Sequence, residues 1–350
     1  MPEAKKAARS LLGAAIAMLS LASYAAPELS VYRWDVPVGP ANVDAFGQWL
    51  GKPVTIASAF EAKGKWEDID GAHWQLGPWS QWVKAIPGRN LSLAIPLLPD
   101  TGGSLASCSA GEYDVYWKNL ANNLAQFGLN SVYLRIGWEM EGTWFRWGAP
   151  QGSGKEAHFA GCFRRVVDAM RLVQPANQWK FVWNPGLDGW KTTAWFDATW
   201  PGDGYVDVVG VDIYDQSWVA NTYPYPSGCD EACRLARQKT AWNFQFGRLN
   251  ALRDFAAAHG KPMAFPEWGV IIRSDGHGGG DNPHFIQRMH EYIMDPRNNV
   301  VFHTYFNVSS RGTHDHRITD PTDKDRPGGP TNMPKAAALF RQLFGGPAAQ

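Results

Sequence analysis

The sequence predicts a single α/β domain of (β/α)8 TIM-barrel type, and three observations predict it. Short β-branched runs alternate eight times with longer amphipathic stretches, the pattern of parallel strands joined by helical crossovers. No glycine-rich dinucleotide turn follows the first run, which favours a closed barrel over an open doubly wound sheet. A chain of 350 residues with 45% hydrophobic content can also bury one substantial core.

Taken in order, residues 29–35 form the first strand, followed by a helix over 43–50. The second strand spans 54–60 and its helix 74–86; the third spans 91–97 and ends at the turn Pro99-Asp100-Thr101-Gly102-Gly103. A helix over 113–127 leads to the fourth strand, 131–136, and apolar residues at helical spacing mark the next helix, 155–173. The fifth strand is 180–183, with a weaker helix over 192–199, and the sixth is 206–214. The longest helix, 231–259, stops at Gly260 before Pro262. Residues 263–265 supply the seventh strand, 283–294 a helix, 300–306 the eighth strand and 335–344 the closing helix. No repeat, low-complexity tract or linker marks a second domain.

Residues 1–25 read as a signal peptide and stand apart from the catalytic domain, 26–350. Lys5, Lys6 and Arg9 precede an apolar stretch over 11–22, and Ser23-Tyr24-Ala25 offers small residues for cleavage after Ala25. That stretch is shorter than the ~20 residues a span needs. The expectation is a secreted or periplasmic protein with no membrane association after cleavage. Formal charge is balanced at 33 basic and 33 acidic residues, and no basic run lies beyond the leader, so a nucleic-acid partner is not expected. A monomer is expected.

In an oxidising compartment, Cys108, Cys162, Cys229 and Cys233 permit two disulfides in three pairings. The spacing of Cys229 and Cys233 suits a local bridge, leaving Cys108 with Cys162. A zinc site is the rival, but the spacing is not that of a knuckle and no histidine pair completes it.

Barrels of this type carry their chemistry at the C-terminal ends of the strands. Strand four runs out into Gly137-Trp138-Glu139-Met140-Glu141-Gly142, and strand seven into Phe265-Pro266-Glu267-Trp268-Gly269. A glutamate just beyond a buried apolar run is costly unless the site uses it. Two such carboxylates suit glycoside hydrolysis, in which one donates a proton and the other attacks the anomeric carbon. Trp138, Trp144, Phe145, Trp147 and Trp268 surround them in a chain with 18 tryptophans. Sugar C–H faces stack on such rings. The cluster over 142–147 falls in a loop, where core filling is less natural.

The segment Arg135-Ile136-Gly137-Trp138-Glu139-Met140-Glu141-Gly142, with Trp144, Phe145 and Trp147, resembles the acid/base motif of glycoside hydrolase family 26. Residues 265–269 are similar to its nucleophile motif, and 201–214 to its sixth-strand segment; the resemblance covers most of residues 30–310. It implies a retaining, endo-acting, mannanase-like hydrolase that cleaves a β-linked polysaccharide or oligosaccharide substrate by double displacement, with no cofactor or metal. By resemblance Glu139 is the acid/base, Glu267 the nucleophile, and Tyr214 a donor to the nucleophile carboxylate. Arg135 orients nearby carboxylates or pairs with Asp212. Trp138, Trp144, Trp147, Trp268 and Glu141 are substrate-binding or supporting residues. Two positions depart from the mannanase pattern: Trp138 stands where histidine is typical, and Glu141 where asparagine is. The eighth strand ends His303-Thr304-Tyr305-Phe306-Asn307, without a tryptophan platform. A bacterial exopolysaccharide or β-glucan is the alternative substrate, and a non-catalytic carbohydrate-binding barrel the alternative function.

Two polar stretches invite metal readings. Asp275-Gly276-His277-Gly278-Gly279-Gly280-Asp281 lacks calcium-loop spacing and reads as a flexible loop. His314-Asp315-His316, with Asp320 and Asp323, reads as a polar loop after the eighth strand. No serine sits in a nucleophile elbow.

Overall fold

The computed structural model describes residues 26–187, 192–310, 313–319 and 331–346. The proposed leader, Asp320 and Asp323 therefore lie outside the described residues. Eight parallel strands close into a barrel: β1 (Glu28–Tyr32), β2 (Ile56–Phe60), β3 (Asn90–Ile95), β4 (Tyr133–Ile136), β5 (Lys180–Trp183), β6 (Val208–Tyr214), β7 (Met263–Gly269) and β8 (Val300–Phe306). Closure is made by β1 and β8, with Ser30 opposite Thr304. The helices that follow them are α1 (Gly39–Leu50), α2 (His73–Ala85), α3 (Asp114–Gln126), α4 (Glu156–Val173), α5 (Thr193–Thr199), α6 (Glu231–Ala258), α7 (Pro283–Met294) and α8 (Pro334–Phe344). The expected single-domain (β/α)8 barrel is thus the observed fold.

Each helix buries one stripe against the strands. In α6 the buried positions Gln238, Ala241, Trp242, Gln245, Leu249, Leu252, Phe255 and Ala256 recur at helical spacing. Asp230 caps this helix by accepting from the Cys233 N–H, and Asn282 caps α7 by accepting from Phe285. Both expected disulfides are present: Cys108–Cys162 ties the short helix Leu105–Ser109 to α4, and Cys229–Cys233 closes the entry to α6.

Alternation along each strand decides what fills the barrel. Ile56, Val182, Val208, Ala264 and Phe302 form a small cluster built from strands alone, so it plugs the interior at the lower end. Two residues further along lie Ser58, Asn184, Gly210 and Thr304, and then Asp212 on β6, followed by Tyr214 at its tip. The interior is crowded at Gly210, where an added Cβ would come within 2.9 Å of Pro266 and Val182. The interior therefore passes from apolar at the bottom to charged at the top.

The elements differ from the expected ones at informative places. β1 ends at Tyr32 instead of residue 35, because Trp34 takes a left-handed φ of 69°. β7 runs on to Gly269 instead of stopping at 265, because the strand absorbs Pro266 at a bulge. Gly210 pairs with Ala264 but Asp212 with Glu267, so β7 carries one extra residue. That residue switches the parity of the strand, turning Glu267 inward and Trp268 out towards Phe340 and Phe344 of α8. Three two-residue strands, Ile272–Arg273, Ser309–Ser310 and His314–Asp315, form a small antiparallel sheet beside the barrel mouth. His314-Asp315 is thus sheet, not free loop.

Candidate active site

At the mouth, β4, β6 and β7 bring Glu139, Asp212 and Glu267 together, with carboxylate oxygens from the three all within 4.8 Å of one another. Arg135, fully buried on β4, is the cation among them. Its Nη2 donates to Asp212 Oδ2 and to Glu267 Oε1, each at 2.8 Å, and its Nε donates to Asn184 Oδ1 at 2.8 Å. Burial alone would lower the Arg135 pKa, but the charges of Asp212 and Glu267 raise it above the ordinary value. The spacing of three carboxylates is also one that a metal ion tolerates; here the guanidinium already supplies positive charge between two of them.

Glu267 has both oxygens engaged. Tyr214 donates its hydroxyl to Oε2 at 2.5 Å while Arg135 holds Oε1. Burial, then the Glu267 and Asp212 charges, push the Tyr214 phenol well above its ordinary value, so it stays protonated and donates. Behind Tyr214, Gln245 of α6 donates to the carbonyls of Tyr214 and Gln216 and fixes the end of β6. His316 packs its ring 4.6 Å from that of Tyr214, and burial lowers its pKa to about 3, leaving a neutral imidazole. Asp212 is pushed upward, first by burial, with Arg135 opposing and Glu267 reinforcing the shift.

Glu139 is presented differently. β4 ends at Ile136, and Gly137 turns the chain at φ 58°; a Cβ there would come within 2.6 Å of the Leu97 side chain. Glu139 itself sits at φ 52°, a conformation uncommon for a non-glycine residue, and its N–H donates to the Asn184 carbonyl at 2.8 Å. Its Oε2 accepts from the indole N–H of Trp144 at 2.8 Å, and Trp144 is 58% exposed.

The other expected site residues divide by burial. Trp147 is buried and donates to the Trp138 carbonyl, and Trp268 is buried and donates to His303 Nδ1. Neither offers an open ring face. The loop after β4 thus fills core after all, because it folds back under its own glutamate, with Met140 and Ala149 fully buried. Trp138 is buried edge-on to Phe60, ring centroids 5.2 Å apart. Glu141 accepts from the Gly186 N–H at 2.8 Å and so ties the loop after β5 to the loop after β4. The stretch expected as a flexible loop, 275–281, is bonded at both ends: Asp275 pairs with Arg273, and Gly279 donates to the Asp215 carbonyl. Asn184 and Glu61 escape sequence reading. Inward parity on β5 signals Asn184, whereas Glu61 carries no pattern.

Two cavities accompany these groups. One, of about 310 Å³, lies over the ends of β1 and β2 and is lined by Glu61 and Trp138 among others. Another, of about 330 Å³, lies on the outer helices among Trp242, Arg253 and Arg288, apart from the carboxylates.

Residues 114–236 match the family model described as Glycosyl hydrolase family 26. A mannan endo-1,4-β-mannosidase of Bifidobacterium adolescentis is 31% identical over 295 residues, spanning 81% of this chain and 27% of that protein. Over these stretches the chain is similar to glycosyl hydrolase family 26. An Acetivibrio thermocellus protein named Endoglucanase H is 24% identical over 85% of the chain and 30% of its own length. The chain spans less than a third of the length of either of these relatives. Among solved structures, the catalytic domain of a Bacillus endo-β-1,4-mannanase superposes with a TM-score of 0.61 at 17% identity, covering 89% of this chain and 84% of that one. A Cellulomonas fimi endo-β-1,4-mannanase gives 0.62 at 17% identity, covering 91% and 71%. At that identity the likeness is one of fold. The family match takes in β4 and Glu139 and ends before Glu267.

Proposed function

We propose that this chain is a retaining endo-glycosidase acting on a β-linked polysaccharide, with mannan as the first candidate. One observation carries the reading: Glu139 and Glu267 face each other at the barrel mouth with oxygens within 4.8 Å. One oxygen of each lying that close suits the ~5–5.5 Å separation of retaining enzymes better than the ~6.5–9.5 Å of inverting ones. The mannosidase relative supports a β-1,4-linked mannan, and the protein named an endoglucanase keeps a glucan, read here as β-linked, as the second candidate.

In the first step Glu139, as the acid, protonates the glycosidic oxygen while the Glu267 carboxylate attacks the anomeric carbon. The C–O bond breaks, the leaving sugar departs as an alcohol, and an ester joins the sugar to Glu267. In the second step Glu139, now a carboxylate, takes a proton from water as its oxygen attacks the same carbon and releases Glu267. Arg135 and Tyr214 hold Glu267 in attacking orientation throughout, and Trp144 holds Glu139. A hydrolase of this kind acts on polysaccharide outside the cytoplasm, and the leader-like segment over 1–25 and the two disulfides support export.

The test is hydrolysis of β-mannan and β-glucan followed by proton NMR of the newly released anomer. The β-anomer should appear first, and Glu139→Ala and Glu267→Ala should each lose at least about 10³-fold in rate. Near-wild-type rates in both variants, or release of the α-anomer first, would sink the assignment.

A further inference from the structure

The cavity over β1 and β2 holds a carboxyl group that the proposed reaction does not use. Glu61 follows β2 and is 3% exposed, yet neither of its oxygens has a hydrogen-bond partner of normal geometry among the described residues. The Gln75 amide lies near enough to favour its ionised form, but already donates to the Asp68 carbonyl. Burial, then the charges of Asp35, Asp70 and Asp68, push the Glu61 carboxyl well above the usual range. A buried carboxyl left unbonded opposes folding, so its retention here needs a use. Such a group in its acid form both donates and accepts.

The cavity walls suit a sugar. Trp74, at the start of α2, is 58% exposed and lines the space together with Phe60 and Trp138. Its size, about 310 Å³, is at the small end of ligand pockets and holds one ring better than a chain. Two of its lining residues, Trp138 and Phe60, also adjoin the carboxylate cluster. Trp138 directly precedes Glu139, and the Phe60 ring lies 5.4 Å from the Arg135 guanidinium. The nearby cation, Lys63, pairs with Asp100, so the acidic surroundings of Glu61 disfavour an anionic sugar.

We propose that this cavity is a subsite for one neutral pyranose of the substrate, next to the bond that is cleaved, with Glu61 hydrogen-bonding two of its hydroxyls. The inference rests on the glycosidase reading and adds to it a specificity-determining residue. Aromatic walls receive the C–H face and Glu61 the hydroxyl edge.

The experiment titrates the cleavage-disabled Glu267→Gln protein with β-mannan- and β-glucan-derived oligosaccharides of increasing length, by calorimetry. Adding Glu61→Ala should weaken the best of them about tenfold to hundredfold, and Glu61→Gln by less, because the amide keeps one donor and one acceptor. An oligosaccharide of uronic acids should bind at least about tenfold more weakly than a neutral one of equal length. Thermal melts establish that each variant is folded; should Glu61→Ala fail to fold, Glu61→Gln decides alone. Unchanged affinity in the folded variants overturns the subsite, and equal affinity for the uronic acids overturns its neutral specificity. If wild-type protein hydrolyses polysaccharide while the Glu61 variants bind unchanged, the glycosidase reading stands and the subsite alone fails. No hydrolysis and no binding across the panel overturns both.

Discussion

Two carboxyl groups at the barrel mouth, Glu267 and Glu61, sit in equally buried surroundings and are treated in opposite ways. Both oxygens of Glu267 are taken, one by Arg135 and one by Tyr214. Among the described residues, neither oxygen of Glu61 is. Around Glu267 the ends of three strands combine: Arg135 from β4 and Tyr214 from β6 donate to it, while Asn184 after β5 and Asp212 from β6 accept from Arg135 and hold it in place. Around Glu61 the charges that shift it are those of Asp35, Asp70 and Asp68, all acids, and the nearby Lys63 is paired with Asp100. Asp35 is itself pushed up to about 6 by burial, against the pull of the Phe60 N–H and the Tyr32 hydroxyl. The difference separates two functions of a buried polar group. A group that must hold one geometry during a reaction is bonded on all sides beforehand. A group that must recognise something from outside keeps its bonding capacity open, at a cost to the empty fold.

The largest effect that tests this contrast comes from Arg135. Replacing it by Met keeps most of the volume but strands Asp212 and Glu267 without their cation. The expected loss is about 3–5 kcal/mol of stability by denaturant titration, with activity falling alongside. If Arg135→Met is as stable as wild type, the internal charge balance claimed for this side of the mouth is wrong. The next effect is chemical without being structural. Tyr214→Phe removes one donor from Glu267 and leaves the ring against His316 and Phe306. The melting temperature should hold, while kcat falls about hundredfold and KM changes little. A rise in KM at constant kcat would instead make Tyr214 a substrate-binding residue with no hold on Glu267.

The well-bonded side of the mouth was the legible one. Arg135, Glu139, Tyr214 and Glu267 all stand at strand ends in recognisable segments, and strand alternation from Val208 reaches Asp212 and Tyr214 on the inward face. The strands were readable because parallel barrel strands are buried on both faces and so appear as apolar runs. What escaped depends on geometry that composition does not encode. The extra residue in β7 let a proline continue a strand that a periodic reading stops at 265. Two-residue strands such as His314–Asp315 are too short to show a period. Trp147 reads like a sugar platform because an aromatic residue in a polar loop looks exposed until the loop is seen to fold back, and Trp268 because the strand reading stops at 265, before the extra residue of β7 turns it onto α8. Glu61 was invisible for a simpler reason. Between Phe60 and Ala62 it looks like any solvated glutamate at a strand end, and only the helix starting at His73 closes over it.

The smallest effect is the one most specific to the open side. A carboxyl whose pKa is raised in the folded protein stays protonated there while it ionises in the unfolded chain. Below the unfolded value, near 4.5 for Glu61, both states hold the proton and nothing is lost. As pH rises above it, the unfolded chain releases its proton first, so stability declines until the folded group also ionises. Asp35 adds a decline of the same sign between 3.8 and about 6. Glu61→Gln removes only the first contribution. Its melting temperature should match wild type at about pH 4 and exceed it by roughly 2–4 °C at about pH 7.5. Asp203, Asp275, Asp295 and Asp315, whose pKa values are lowered, push the other way in both proteins and cancel in the comparison. A gain that is equal at both pH values would trace to packing alone. A loss at pH 7.5 would mean that Glu61 is bonded in the folded protein and that the contrast with Glu267 does not exist.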